Sequence, residues 1–571
     1  MAVVGIDLGT TNTVVACARG GQVQVLADEQ GRRLLPSVVS FLPNGEVVVG
    51  HPAKERLAID AKNTIASAKR LIGRSWDSKE MVRARQRFPF EVKEGPREGP
   101  LVVARGHDYT LAEISAFVLR RARQIAERAL GEPVERAVVT VPASFNELQR
   151  TATKVAGQVA GLEVVRIINE PTAAALAYGL GRGSHERIAV YDFGGGTFDC
   201  TLLALSDNVF EVLATAGDSY LGGDDIDLAV AERMADAFLK AHRYDPRANP
   251  QAFERLRGAA EAIKMDLSLV ERSHTRLKEV AFGVGGAHLD LDFDMTRSEL
   301  EALATPLVER TFAVCQEALA VAQLPVSAFD KIVLVGGSTR IPLVRRRVEQ
   351  FFGRPPLDRV NPDEVVAIGA AIQAAALTEV AQGRSIPPPP VPGGPGGPRP
   401  SMRPLLPGLP PPPSASRTSS RPPRAMGDLH GARPPVLADV TPWALAVETV
   451  GGWCDVVVQR NAKIPCERTR AFTTSSDMQS AVNVRVAQGE DPLFGNNTYL
   501  GEVELVGLRA ARRGEVTIQV RFEVDESGTL KVFATDTATG HEAHALLQLV
   551  AVSGEQSIEK MQARQAALKI H

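Results

Sequence analysis

The stretch "YDFGGGTFDC", residues 191–200, decides the fold because it joins two apolar runs through three consecutive glycines. Asp192, Phe193 and Gly194 spell the DFG of protein kinases, but the H-R-D catalytic loop that a kinase needs is absent from the sequence. A Walker A string is also absent, and a dinucleotide fingerprint runs from a strand into a helix rather than into a second strand. The stretch therefore predicts a glycine-rich β-hairpin that cradles phosphate in a third way.

A second hairpin of the same kind opens the chain. In "GIDLGTTNT", residues 5–13, an apolar strand again ends in Asp and continues with Gly and Thr. Glycines let backbone N–H groups converge on phosphate oxygens, and threonine hydroxyls add donors. The strand-end carboxylates of Asp7 and Asp192 can hold a hydrated Mg²⁺ between the loops, since magnesium keeps several waters and uses one or two carboxylates. Two such hairpins predict a clamp on a triphosphate, and "VLVGGSTRIP", residues 333–342, adds a third glycine turn.

Composition limits the class of protein. A chain of 571 residues is too long for one hydrophobic core, so we expect at least two domains. A net charge of -2 gives no reason to expect binding to nucleic acid or to an anionic membrane. The N-terminus does not resemble a signal peptide, no apolar run is long enough to span a bilayer, and the five cysteines form no C-x-x-C. We therefore expect a cytoplasmic protein.

A change of composition divides the chain. Of its 38 prolines, 18 lie between Pro387 and Pro435, and residues 381–435 contain seven arginines, one acid and no aromatic residue. Residues 381–435 are therefore predicted to be a disordered linker. Before it, residues 1–380 alternate short β-branched strands with helical stretches such as Leu111–Leu130 and Glu299–Leu324, which indicates an α/β domain. After it, residues 436–550 read as hairpins of a β-sandwich, and residues 551–571 as a short helix or tail.

Eight motifs, taken in order, carry a family resemblance. They are "GIDLGTTNT", "KRLIGR", "VTVPASFNELQR", "INEPTAAALAYG", "YDFGGGTFD", "GDSYLGGDD", "VLVGGSTRIP" and "NPDEVVAIGAA". Together they closely resemble the seventy-kilodalton heat-shock chaperones of the DnaK type. The C-terminal runs "VLADVTPWALAVETVGG" and "SSDMQSAVNVRVAQGE" resemble the peptide-binding β-domain of that family. The resemblance implies an actin-like ATPase, with two lobes around a nucleotide cleft, followed by an all-β sandwich that binds peptides.

The resemblance also implies roles for particular residues. Lys69 matches the catalytic lysine that orients the attacking water, and Glu170 and Asp192 match carboxylates around the magnesium. Asp7 is the second carboxylate of that site, held to the metal through water, Thr197 lies beside the γ-phosphate, and Asp199 matches an acid of the cation site, where K⁺ is a further candidate. The implied nucleotide contacts are Gly9, Thr10, Thr11, Asn12, Gly194, Gly195, Gly196, Thr197, Gly223, Glu261, Lys264, Ser268, Gly336, Gly337, Ser338, Arg340 and Asp363. Such a site fits phosphoryl transfer, where catalysis is mainly positioning and charge stabilisation.

Other matched positions concern partners. Pro142, Arg150, Arg166 and Asp439 match residues that relay nucleotide state between domains, and the first three also match the docking site of J-domain partners. Val447, Val450, Phe472, Ser475, Val482 and Val484 match positions in the peptide groove or in the arch over it. Without the motif match, the alternating valines would be interpreted as the core of the sandwich. The implied ligands and partners are ATP or ADP, Mg²⁺, extended polypeptides, a J-domain co-chaperone and a nucleotide exchange factor.

Three departures from the family pattern predict weaker function. The apolar segment "PPVLAD" before the β-domain follows some fifty Pro-rich residues. A coil of that length has an r.m.s. span of about 40 Å. We therefore expect partial uncoupling of peptide binding from ATP hydrolysis. The family carries a long helical lid after the β-domain, whereas about twenty residues follow it here, which predicts fast peptide exchange. Val450 and Ser475 replace a typical Met and Ala over the groove and should enclose a peptide less well.

Three functions remain open at this point. The first is an ATP-hydrolysing chaperone that binds unfolded segments weakly. The second is a nucleotide-gated adaptor whose β-domain holds one dedicated partner. The third, a small-molecule kinase with the same cleft, leaves "KRLIGR" and the second domain without a role. Fold alone would not separate them.

Overall fold

The computed structural model of the chain describes residues 2–96, 99–179, 185–283, 286–357, 361–381, 429, 434–546 and 555–571. The predicted linker, residues 381–435, lies almost entirely outside the described residues, and so do residues 547–554. No helix in the described part of the chain is both long enough and apolar enough to cross a membrane.

The first lobe is built on a mixed sheet whose strands come from residues far apart in the chain. Its order is β12-β11-β1-β2-β3, and β4 also pairs with β2. The strands are β1 (Ala2–Leu8), β2 (Asn12–Arg19), β3 (Gln22–Val25), β4 (Leu35–Pro36), β11 (Val134–Val141) and β12 (Glu163–Asn169). Because β1 lies parallel to β11 and antiparallel to β2, the end of β1 and its following turn lie at one edge of the lobe.

Two small sheets and five helices complete this lobe. One sheet has the order β6-β5-β7 and the other β10-β9-β8. The strands are β5 (Val39–Phe41), β6 (Val47–Val49), β7 (Thr64–Ile65), β8 (Glu91–Glu94), β9 (Pro100–Ala104) and β10 (His107–Thr110). The helices are α1 (His51–Arg56), α2 (Lys79–Arg87), α3 (Leu111–Leu130), α4 (Glu147–Val159) and α5 (Glu170–Gly179).

The second lobe repeats the plan. Strands β13 (His185–Phe193), β14 (Phe198–Ser206), β15 (Val209–Asp218) and β18 (Lys331–Val335) form its sheet, and β16 (Arg272–Phe282) pairs with β17 (His288–Thr296). Its helices are α6 (Gly223–His242), α7 (Pro250–Leu267), α8 (Arg297–Ala322) and α9 (Pro342–Phe352), whereas the following helix, α10 (Val365–Ala381), packs on β1, β2 and α5 of the first lobe. The alanine-rich helices α5 and α10 pack closely, since a Cβ on Gly369 would lie 1.7 Å from the carbonyl oxygen of Ala173. This close packing fixes the start of α5, where Glu170 lies.

Capping residues set the helix boundaries. Helix α3 begins after Thr110, which forms a capping box with Glu113, and ends at Gly131, whose φ is 72°. The predicted helix Glu299–Leu324 instead runs from Arg297 to Ala322, because Thr296 and Glu299 form a second capping box. The acid that was taken as the first residue of that helix is therefore its third.

The β-domain is a sandwich of two four-stranded sheets. Their orders are β21-β20-β24-β25 and β23-β26-β27-β28. The strands are β20 (Leu445–Thr449), β21 (Trp453–Val458), β23 (Cys466–Thr473), β24 (Ala481–Gln488), β25 (Thr498–Val506), β26 (Thr517–Val524), β27 (Leu530–Asp536) and β28 (Glu542–Leu546). An apolar core that includes Val486, Phe522 and Val532 fills the space between them. The predicted fold, a two-lobed α/β unit followed by a β-sandwich, is confirmed.

A short strand joins the two domains. Strand β19 (Val436–Val440) lies parallel to β15, with Val436 opposite Val209 and Ala438 opposite Glu211, and it pairs on its other side with β22 (Lys463–Ile464). Leu437 packs against the apolar cluster under β13 and β14. The segment before the β-domain is therefore docked on the second lobe in this structure.

The chain returns to the first lobe at its C-terminal end. Helix α11 (Glu555–Ala567) packs against α4, and Met561 is buried in the core of the first lobe. Beyond the helix, the backbone of Val47 and Val49 on β6 bonds to residues 569–571. Arg564 donates to the carboxylate of Glu113, which is 1% exposed.

We predict that Arg564→Ala lowers the free energy of unfolding by about 1–3 kcal/mol. Removing Arg564 leaves the buried carboxylate of Glu113 without its cation. The loss of stability is smaller than for a fully buried pair, because Arg564 is 39% exposed and Thr110 still donates to Glu113. Urea denaturation of the full chain measures it. The matched control is Lys569→Ala, which breaks an exposed pair with Glu46 and should change little. Equal effects of the two substitutions would contradict the prediction.

Candidate functional site

The two glycine hairpins face each other across a cleft between the lobes. Strands β1 and β2 form one hairpin, and β13 and β14 form the other. A Cβ on Gly195 would lie 1.8 Å from Thr11 Oγ1, and a Cβ on Gly196 would lie 2.4 Å from Thr10 Cγ2. Only glycine therefore allows the backbone of the second turn to approach the threonines of the first this closely.

The cleft is open to solvent and holds about 600 Å³ of space between the lobes. The predicted nucleotide residues that line it are Gly9, Thr10, Thr11, Asn12, Gly194, Gly195, Thr197, Gly336, Gly337 and Asp363, and the predicted catalytic residues are Asp7, Lys69, Glu170, Asp192 and again Thr197. The structure thus brings three separate glycine turns and the strand-end acids into one cavity.

Lys69 is the central cation of this cavity. Its side chain is 5% exposed, and its Nζ donates to Glu170 Oε1 at 2.5 Å and to the backbone carbonyl of Leu8. It lies in a short 3-10 turn that follows Ser67, whose φ of 55° is left-handed. The Nζ also lies 5.6 Å from the ring centroid of Phe145. A buried ammonium group held by two acceptors is fixed in orientation before any ligand arrives.

Three aspartates around Lys69 have raised pKa values. Burial, with a smaller contribution from the charge of Glu170, raises the pKa of Asp7 to about 7. The same two causes raise the pKa of Asp199 to about 7 and hold the pKa of Asp192 well above its ordinary value. Four carboxyl groups thus surround one ammonium group, and a further cation beside them would favour their ionised forms.

These residues fit a hydrated cation. Asp199 Oδ1 accepts a hydrogen bond from the Ser144 amide at 3.0 Å, whereas the buried Oδ2 has no partner among the described residues. Across the described ranges, no group of three or more His, Cys, Asp and Glu side chains is arranged to hold a metal ion alone. An excess of carboxylates without a complete protein cage is what magnesium bound through water and phosphate requires.

The remaining predicted nucleotide residues lie beside the cleft. Lys264 donates to Asp227 at 2.7 Å and to the carbonyl of Gly223 at 3.3 Å. Ser338 donates to the carbonyl of Gly194 at 2.9 Å, and Arg340 pairs with Asp363 at 2.5 Å. The glycine turns and helices α6 and α7 are therefore held together at this end.

Two predicted contacts point elsewhere. Glu261 pairs with Lys54 at 2.7 Å, across a neighbouring cavity of about 1030 Å³ between α1 and α7. Ser268 lies at the C-terminal end of α7 and donates to the carbonyl of Lys264. The Lys54–Glu261 pair links α1 of the first lobe to α7 of the second lobe.

The predicted interdomain residues meet at the boundary between the lobes and the β-domain. Arg150 donates to Asn169 Oδ1 at 2.6 Å and to the carbonyl of Ser527 at 3.4 Å. Asn169 in turn donates to Asp439 at 2.9 Å. Arg166 pairs with Glu526 at 3.3 Å. Pro142 accepts from the Phe145 amide at 3.1 Å, in the turn that leads into α4.

The predicted peptide-groove residues divide into three sets. Val447 and Val484 are buried in the sandwich core, and Phe472 and Val482 are partly buried against it. Val450 is 76% exposed, and Ser475 is also exposed. Core packing, the alternative interpretation of these valines, therefore accounts for the buried pair, while the groove assignment remains a prediction.

Some residues that shape the site were missed from the sequence. Thr140 donates to Asp7 at 3.0 Å, and Asn169 links Arg150 to Asp439. Thr140 lies in the motif "VTVPASFNELQR" and Asn169 in the motif "INEPTAAALAYG". Their place in these motifs was the signal that could have identified them. Ser144 and Glu147 also lie in the first of these motifs, but nothing local indicates their contacts.

The fold and the cavity together define a two-lobed, actin-like unit with a cleft, joined to a β-sandwich. A family model described as Hsp70 protein matches residues 3–386 and 427–570. The chain therefore belongs to the Hsp70 family. Members of this family are ATPases and chaperones that use nucleotide and Mg²⁺ and bind unfolded polypeptides, and membership supports these properties for this chain in general terms.

Proposed function

We propose that this chain hydrolyses ATP in the cleft and uses the cycle to bind and release extended polypeptide segments. The observation that carries the proposal is the arrangement of Asp7, Glu170 and Asp192 with Lys69 between opposed glycine turns, with Asp199 buried nearby. A bound Mg²⁺ ion would supply the positive charge that this cavity lacks. The backbone amides of Gly195 and Thr197, two residues that line the cleft, would bind phosphate oxygens.

Hydrolysis would then depend on positioning by this chain's own residues. Lys69 Nζ is held by Glu170 and the Leu8 carbonyl beside the cleft, and it would orient an attacking water and contact the γ-phosphate there. Thr197 lines the same space. Because the transition state carries spread negative charge, a fixed ammonium group there lowers the barrier. Asp7 and Asp192 would hold the metal through water, and Asp199 would hold an accompanying cation such as K⁺.

The base and ribose would lie at the other end of the cleft. The proposed contacts are Glu261, Lys264 and Ser268 from one side, and Gly336, Gly337, Ser338, Arg340 and Asp363 from the other. The φ of Gly336 is 81°, and a Cβ there would lie 2.4 Å from the Phe193 carbonyl, so this turn also requires glycine.

For the β-domain we propose weak and rapidly exchanging peptide binding. Val450 and Ser475 offer little enclosure, and α11 lies on the first lobe, where Met561 and Arg564 hold it. We predict that a labelled unfolded peptide leaves within seconds with either ATP or ADP, because affinity differences lie mainly in the dissociation rate. Stopped-flow release with excess unlabelled peptide measures this. Release over many minutes with ADP would contradict it.

Single-turnover ATP hydrolysis, with an unfolded polypeptide added or withheld, tests the proposal as a whole. Hydrolysis that the polypeptide stimulates only weakly is expected, because the Pro-rich linker lowers the effective concentration of the two domains. Absence of ATP or ADP binding in the presence of Mg²⁺ would end the proposal.

A nucleotide-gated adaptor is the alternative. The burial of Val447 and Val484 favours the adaptor, because valines that pack in the sandwich core do not line a peptide groove. A peptide array separates the two functions, since a chaperone binds many apolar sequences and an adaptor binds one.

A further inference from the structure

One side of the β-sandwich is open where its two sheets meet. Strand β21 is an edge strand of one sheet and β23 an edge strand of the other, and in the described part of the chain each pairs with a neighbouring strand on one side only. Arg470 on β23 pairs with Asp455 on β21 at 3.7 Å, so the two edge strands face each other. An extended polypeptide can add main-chain hydrogen bonds to such an edge.

A row of alternate residues on β23 faces this opening. Arg468 lies opposite Phe522 on β26, and Arg470 lies opposite Val520. Phe522 and Val520 are buried in the sandwich core, and directly opposed residues of an antiparallel pair share a face. The two arginines therefore lie on the inner face of β23, yet both are exposed, because the other sheet ends at β21 and does not cover them. Phe472, a proposed groove residue, continues the same row.

The positive charge of this row is poorly neutralised. Among the described residues, Arg468 has no acidic partner, and its Nη1 donates to the carbonyl of its neighbour Glu467 at 2.9 Å. Arg470 has Asp455 as its acidic partner, but the 3.7 Å pair has both side chains exposed to solvent and is therefore weak. Both guanidinium groups are thus available to a ligand.

Three further arginines border the proposed arch residue Ser475. The loop 507–516 lies beside the loop 474–480, since the amide of Gly514 donates to the carbonyl of Thr474 at 3.0 Å. Asp477 and Glu515, the two acids of these loops, accept from backbone amides rather than from guanidinium groups. The exposed arginines of the loop 507–516 are Arg509, Arg512 and Arg513.

This concentration of positive charge is local. Residues 436–550 contain fifteen acidic and ten basic residues, so the β-domain as a whole is acidic. Five of the ten basic residues nevertheless lie on the row of β23 or in the loop beside the arch. The charge beside the proposed groove is therefore opposite in sign to that of the domain that carries it.

We propose that the peptide site of the β-domain selects extended segments in which acidic side chains flank an apolar residue. The inference rests on the proposed function of this domain and names its substrate class. The apolar residue packs against Phe472, the main chain pairs with the free edge of β23, and the flanking carboxylates lie beside Arg468 and Arg470. Because exposed charge pairs are screened by salt, the preference weakens as ionic strength rises.

Two labelled peptides that share one apolar core, one flanked by glutamates and the other by lysines, test the proposal. Their affinities for the full chain with ADP are measured by fluorescence anisotropy at low and at high salt. One exposed ion pair changes affinity by about one-and-a-half- to fivefold, so two arginines predict about two- to twentyfold tighter binding of the glutamate peptide at low salt.

The double substitution Arg468→Gln and Arg470→Gln should remove most of this difference. The matched control is Arg485→Gln, since Arg485 lies between the buried Val484 and Val486 on the outer face of β24 and pairs with Glu448 at 2.5 Å. The control should keep the preference of the wild type.

Equal affinity for the two peptides, or tighter binding of the lysine peptide, overturns the inference. A glutamate preference that survives the loss of both arginines overturns it as well. Failure of the wild-type chain to bind either peptide would instead remove the proposed function of the β-domain, so the two failures are distinguishable. The comparison of the two peptides on the wild-type chain does not depend on the folding of any variant.

Discussion

Replacing Lys69 with alanine is expected to slow single-turnover ATP hydrolysis at least a hundredfold. The side chain supplies the only ammonium group that lines the cleft in the described part of the chain, and four carboxylates surround it. Loss of one preorganised donor to a developing negative charge typically costs about 10²–10³ in rate. The substitution also leaves Glu170 without its 2.5 Å partner, so the carboxylate can reorient.

Lys54→Ala is the matched control for this experiment. Lys54 pairs with Glu261 across the neighbouring cavity and does not line the cleft. Its removal should speed nucleotide release and leave the hydrolysis rate near wild type. If Lys69→Ala hydrolyses bound ATP as fast as Lys54→Ala, Lys69 is not part of the catalytic machinery.

The second large effect is a pH dependence of domain docking that depends on Glu147. This residue starts α4 at the interface and is 3% exposed, and burial raises the pKa of its carboxyl from an ordinary 4.5 to about 8. Its Oε1 accepts from Thr151 at 3.1 Å, and its buried Oε2 has no partner among the described residues. Its amide donates to Gln488 of the β-domain at 2.9 Å, so docking itself covers the group.

The sign of the dependence follows from the direction of the shift. The docked state holds the proton more tightly than an undocked state in which Glu147 is exposed, so docking takes up a proton between about pH 4.5 and 8. The docking equilibrium should therefore be strongest at low pH and should weaken by up to about tenfold per pH unit across that window. From pH 6 to 8 the change amounts to about fiftyfold. Arg150 and Lys154 lower the pKa of Glu147 and moderate the effect, while burial raises the pKa of Asp439 and acts in the same direction.

Energy transfer between labels on the two domains, measured from pH 6 to 8 with ATP, checks this expectation. Glu147→Gln mimics the protonated acid and should reduce the pH dependence by one proton. Glu526→Gln is the control, because that carboxylate lies at the same interface, pairs with Arg166 and is 63% exposed. If docking depends on pH equally in the wild type and in Glu147→Gln, Glu147 ionises as easily in the docked state as in the undocked state, and the prediction is wrong.

Much of the fold was accessible from the sequence because its signals are local. Alternating apolar strands, glycine turns and helical periodicity each depend on a few neighbouring residues, and they predicted both lobes, the sandwich and helix α3 with its observed bounds. The start of α8 was placed two residues late because the capping role of Thr296 was overlooked. The residues lining the cleft were also predicted, since glycines and strand-end acids mark them directly.

What the sequence determined by itself is the set of local chemical features, namely the two glycine hairpins and their aspartates, while the role of Lys69 followed from the family resemblance. Only the tertiary structure decided how these features are charged and connected. The raised pKa values of Asp199 and Glu147 depend on burial by residues far along the chain. The contacts of Ser144 with Trp443 and of Glu113 with Arg564 likewise join positions hundreds of residues apart. Desolvation and long-range packing are properties of the assembled molecule, and no local pattern of residues encodes them.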